Sequence, residues 1–140
     1  MSMMSKSVFK AWPVLALLLL AALMPRAQSQ GTDMQKDIAG HIRSGDVTAL
    51  SAFFGQSVDL NVPGNENTYS KAQAELILKD FFGKNPPASF KINHQGTSKD
   101  GSRFFIGTYA AVNGKNFRTY CLMKKTGDRF LLQQLQFEPD

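Results

Sequence analysis

A chain of 140 residues with 43% apolar side chains is the right size for one domain with a core of its own. Its formal charge of +5 shrinks once the N-terminus is set aside: Lys6, Lys10 and Arg26 stand there with no acid, and the remainder holds 13 basic against 11 acidic residues. That balance argues against nucleic-acid binding, and the single cysteine, Cys121, excludes an internal disulfide.

The first 29 residues read as a secretion signal. Lys6 and Lys10 precede the apolar run Ala11–Leu23, and Pro25-Arg26 leads into Ala27-Gln28-Ser29, with small residues where cleavage before Gln30 requires them. The run is short of the ~20 apolar residues of a spanning helix. The expectation is an exported protein, periplasmic or secreted, with no stable membrane insertion after cleavage. Its single domain covers residues 30–140.

From Thr32 the pattern turns helical. Met34, Ile38 and Ile42 recur at steps of four, and Gly45 ends the helix. Asp46 is placed to cap a second helix carrying Val47, Leu50, Phe53 and Phe54, with Gly55 as its exit. "SVDLNV" (57–62) alternates, with Val58, Leu60 and Val62 on one face and Asp59 and Asn61 on the other, and Pro63-Gly64 closes this short strand. A third helix starts at the capping box of Ser70 and Gln73. Its buried stripe is Ala74, Ile77, Leu78 and Phe81, widened by Leu76 and Phe82, with Gly83 as a left-handed exit before Pro86-Pro87. On this reading each "FFG" (53–55 and 81–83) is the last turn of an amphipathic helix.

Beyond Pro87 four strands follow, over 88–97, 102–112, 116–125 and 129–138. They are joined at Asp100-Gly101, Asn113-Gly114 and around Thr126-Gly127. The order predicts an α+β fold: three N-terminal helices and a short strand packed on a four-stranded antiparallel meander. Two-residue turns would set Tyr109 opposite Arg118, Gly107 opposite Tyr120 and His94, and Tyr120 opposite Gln133. One face then carries Phe90, Ile92, Phe105, Leu122, Leu131, Leu135 and Phe137, together with His94, Tyr109, Arg118, Tyr120 and Gln133, and Gly107 leaves room in that polar row. The other face carries Phe104, Ile106, Thr108, Cys121, Met123 and Leu132 between polar edges. One helix layer covers one face, so the second is expected to pair with another copy in a homodimer. Cys121 reads as a small buried hydrophobe.

The segments "GDVTALSAFF", "VDLNVPG", "YSKAQAELILKDFFGKNPP", "FKINHQGTSKDGSRFFIGTY" and "LLQQLQFE" together resemble an uncharacterised family of small secreted Bacteroidetes proteins, a domain of unknown function. That family lies in the nuclear-transport-factor-2-like (SnoaL-like, cystatin-like) superfamily. The resemblance spans nearly all of residues 30–140. It implies a cone in which helices fill the concave side of a curved sheet. It also implies a choice among isomerases, dehydratases, cyclases, and non-enzymatic binding or dimerisation domains.

The reading that follows is an exported, dimeric binding or interaction module. A small apolar or amphipathic ligand would sit in the cone, oriented by His94, Tyr109, Arg118, Tyr120 and Gln133. The alternative is an isomerase- or dehydratase-like enzyme, with His94 or Asp59 as base and Tyr120 donating to an enolate. No metal or cofactor is expected: His41 and His94 lie far apart without neighbouring ligands, and phosphate-loop and nucleophile-elbow patterns are absent.

Overall fold

The computed structural model describes residues 30–140; the expected signal segment, 1–29, lies outside them. The first helix, α1 (Gln30–Ser44), buries Ile38 and Ile42 completely. It ends as its glycine requires. Gly45 adopts φ +69°, its amide bonds Ile42 O at 3.1 Å, and the Asp46 amide bonds His41 O at 3.0 Å, the paired bonds of a Schellman turn. Asp46 then caps α2 (Val47–Ser51) by accepting from the Ala49 amide at 3.1 Å. The capping box at α3 (Lys71–Lys84) is present in both directions between Ser70 and Gln73. Its buried stripe is Ala74, Leu78, Phe81 and Phe82, while Leu76 is 67% exposed, so the widened stripe expected there is narrower.

Neither "FFG" glycine acts as an exit. Phe54 already opens strand β1 (Phe54–Val62), with Gly55 inside it. Gly83 sits within α3 without a positive φ, and Asn85 caps that helix through its amide to Phe81 O. A Cβ at Gly83 meets nothing within 4 Å. Gly83→Ala should therefore stabilise the domain by about 0.5–1 kcal/mol through the unfolded state. The readout is the denaturant midpoint; a left-handed exit would give a loss of similar size instead.

Among the described residues the sheet has six strands, in the order β2-β1-β6-β5-β4-β3. Strands β3 (Pro87–Thr97), β4 (Arg103–Ala111), β5 (Asn116–Thr126) and β6 (Arg129–Pro139) form the expected meander. Two features extend it. Asn65–Ser70 is a strand, β2, paired antiparallel with β1, and β1 pairs in parallel with β6. The fold is α+β with a mixed sheet, bent at irregularities in β1–β6, β3–β4 and β5–β6.

Among the described residues, helices lie on one face of the sheet. Gln35 of α1 donates to Phe104 O at 3.2 Å, and Arg43 donates to Phe90 O at 3.1 and 3.2 Å. Phe81 of α3 packs on Phe117 at 5.1 Å and Phe137 at 4.8 Å. The resulting core is aromatic: Phe81, Phe82, Tyr109, Phe117 and Phe137 form one ring cluster.

Candidate functional site

The strand register decides which side chains share a face, and it differs from the two-residue-turn expectation. Ala111 closes against Lys115, so the β4–β5 loop has three residues, with Gly114 at φ +87°. A two-residue type I′ turn would need φ > 0 at Asn113 as well, and among the described residues only glycines have positive φ. Asn113 Oδ1 instead accepts from the Lys115 amide at 3.0 Å, and Asp100 Oδ1 accepts from the Ser102 amide at 2.9 Å in the matching loop before β4. Each loop places its glycine last. The register slips by one, and partner side chains change face.

Observed partners are Tyr109 with Phe117, Gly107 with Thr119, Ile106 with Tyr120, and Thr108 with Arg118. His94 pairs with Ile106 after a bulge at Asn93, and Tyr120 pairs with Gln136 rather than Gln133, which is the extra residue of a β6 bulge.

The five residues expected to share one face are thus divided. Tyr109 alone lies in the core, fully buried, its hydroxyl donating to Asn85 O; burial pushes its phenol well above the ordinary range, so it stays a neutral donor. His94, Arg118 and Tyr120 are on the open face. Gln133 lines a shallow groove with Leu131 and Asp59. Gly107 leaves no room: a Cβ there would stand 2.6 Å from Lys91 O and 2.7 Å from the Phe90 ring.

The expected pairing face changes correspondingly. Cys121, Met123 and Leu132 are core residues, at most 1% exposed. Burial raises the Cys121 thiol well above its usual pKa, in keeping with a small hydrophobe. Phe104 and Ile106 remain on the open face, joined by Tyr120 and Leu122 and all half-buried within the sheet. Phe104 lies over Gly96, where a Cβ would come within 2.9 Å of its ring. His94 and Tyr120 flank it at ring distances of 5.8 and 6.4 Å. An aromatic row therefore crosses a face that no described helix covers, with Thr108, Gln134 and Gln136 beside it and the charged Lys91 and Asp59 next to Thr108 and Gln134.

For proton transfer the core offers little. Among the described residues its buried polar side chains are Gln35, Ser51, Asn85, Ser102 and Thr119, with no Asp or Glu. The Thr119 hydroxyl is buried without a hydrogen-bond partner. Asp59 is exposed and accepts from Thr68 on β2. No group of His, Cys, Asp or Glu among the described residues could hold a metal, and none of their helices is long and apolar enough to cross a membrane.

A cleft of about 720 Å³ opens where four chain segments meet: the second half of α3, the β1–β2 turn, the β4–β5 loop and the end of β6. Val62, Ile77, Phe81 and Phe117 form its floor; Asn65, Asp80, Lys84, Lys115, Asn116 and Asp140 stand around its rim. Its walls are fastened to one another. Asn113 Nδ2 donates to Asn85 Oδ1 at 2.9 Å and Lys84 O at 3.2 Å, and the Val112 amide reaches Pro86 O at 2.8 Å. No sequence motif marks this cleft, because its residues come from segments up to about 78 positions apart and only the fold gathers them.

A family model described as domain of unknown function DUF4783 matches residues 35–138. A crystal structure of a DUF4783 family protein from Bacteroides ovatus is similar over 74% of this chain and 93% of that one, with 33% identity and a TM-score of 0.69. One from Bacteroides uniformis matches at 28% identity and TM-score 0.69, covering 75% of this chain and 95% of that one. A protein described as Rd1NTF2_04 with long sheet matches at 17% identity and TM-score 0.59, covering 76% and 97%; that likeness bears on the fold alone and places it among NTF2-like folds. No curated protein matches.

Proposed function

The chain belongs to the DUF4783 family of NTF2-like domains, and from that premise we propose that it works as an exported interaction module that pairs with a second copy through its open sheet face. One observation carries the reading: an aromatic row, His94, Phe104 and Tyr120, with Ile106 and Leu122 beside it, has no helix layer over it among the described residues. Aromatic side chains in the middle of a patch are what association favours. The composition suits a second copy. Thr108, Gln134 and Gln136 border the apolar middle, while the charges Arg118 and Glu138 oppose one another at one end of β5–β6. A two-fold pairing sets apolar centre on apolar centre and leaves Lys91 and Asp59, which lie beside Thr108 and Gln134, toward the rim. In this reading His94 and Tyr120 serve the interface, and Tyr109 supports the core.

Intact mass and light scattering of protein recovered from the exported fraction test both halves of the proposal. The expected chain starts at Gln30 and has twice its own mass in solution, and Ile106→Lys gives a folded monomer. A wild-type monomer at high concentration, or a dimer indifferent to Ile106→Lys, overturns the pairing. A chain that keeps residues 1–29 overturns export by cleavage.

A further inference from the structure

We infer that the cleft between α3, the β1–β2 turn and the β4–β5 loop binds a small neutral polyhydroxylated molecule, one or two sugar rings in size. The inference goes beyond the pairing proposed above and uses a surface separate from the open sheet face. The cleft's volume of about 720 Å³ falls in the range of small-molecule sites, 300–1,000 Å³ by order of magnitude.

The chemistry of the rim selects the ligand class. Lys84 and Asp80 form an ion pair at 3.0 Å, exposed on both sides, and the other two charges, Lys115 and Asp140, are of opposite sign. An anionic ligand attracted to Lys115 would meet Asp140 along the same rim, and a cation would meet the reverse, so net charge gains nothing here. The remaining rim groups, Asn65 and Asn116, are amides that both donate and accept. Hydroxyl groups do the same. A ligand made of hydroxyls can therefore use every rim group, whichever sign it carries.

The floor supplies the second half of the match. Val62, Phe81 and Phe117 are at most 4% exposed, with Ile77 half-buried. With the rings so deeply buried, the apolar contact left to a ligand is a small area around Ile77, enough for the C–H groups of one ring and too little for an alkyl chain. The Asn85–Asn113 bonds and the T-shaped Phe81–Phe117 contact hold walls and floor in place before any ligand arrives, which lowers the cost of binding.

The test is a ¹H–¹⁵N titration of the exported protein with cellobiose, maltose and N,N′-diacetylchitobiose, and with octanoate as an amphipathic anion. At least one disaccharide should bind with a Kd of about 1 mM or tighter, moving amide signals of residues 63–65, 80–85 and 114–117. Octanoate should leave them in place. Ile77→Arg, which fills the cleft, should abolish the shifts. Asn116→Ala, on the exposed rim, should weaken binding about fivefold or more with an unchanged melting point, and guards against a folding defect in the first variant. Saccharides that move no signals, or move only signals of the open sheet face, overturn the inference, as does octanoate binding the cleft when the sugars do not. If Ile106→Lys binds the same sugar, the cleft stands whether or not the sheet face pairs.

Discussion

Gly107→Ala lowers stability by about 3 kcal/mol, the upper end of what overpacking costs, and lowers the melting temperature by roughly 10–20 °C. The obstacle is backbone. The new Cβ would lie 2.6 Å from the carbonyl oxygen of Lys91 on the neighbouring strand, besides 2.7 and 2.9 Å from the Phe90 ring. A flexible side chain can turn away, but a carbonyl within a paired strand moves only if the strand moves. Here the strands are committed on both sides: Gly107 pairs with Ile92 and with Thr119. Phe90 is itself 3% exposed and packs against Phe105 at 6.0 Å, so its ring has little space to retreat. Thermal and denaturant unfolding measure the effect. A loss below about 0.5 kcal/mol, typical of a surface change, would mean that β3 does not approach β4 so closely.

Tyr109→Phe is the second large effect, at about 1–2 kcal/mol for a buried hydrogen bond lost with one partner left behind. The ring stays, with its contacts to Phe81, Phe82, Phe117 and Phe137, so the loss reports the hydroxyl. That hydroxyl donates to Asn85 O at the end of α3, the residue whose side chain also receives Asn113 from the β4–β5 loop. Hydrogen exchange should therefore quicken at Asn85 and Val112, whose amides bond Phe81 O and Pro86 O, before it changes elsewhere. Tyr120→Phe, on the open face, should stay within about 0.5 kcal/mol of wild type in the monomer. Equal losses for the two tyrosines would contradict their placement on opposite faces.

Local features of the sequence determined the elements. The steps of four in α1, the Asp46 cap, the Ser70–Gln73 box and the alternation of Val58, Leu60 and Val62 rest on bonds and burial within a few residues, and the sequence shows them directly. The four-stranded meander and its breaks at Gly101, Gly114 and Gly127 follow in the same way, since each of these glycines takes a positive φ that other residues avoid. Tertiary structure decided the rest. "NENTYS" has no apolar period, because β2 is exposed almost throughout and is a strand only through its bonds to β1. Asn-Gly suits both a two-residue and a three-residue loop. At Asn113 the choice is tied to long-range bonds from its side chain to Lys84 and Asn85, 28 or more positions back. That single residue of slip carried Arg118 and Tyr120 out of the expected site and Cys121 and Met123 into the core. Side chains alternate faces with a period of two, so an error of one in a loop reverses the whole strand beyond it.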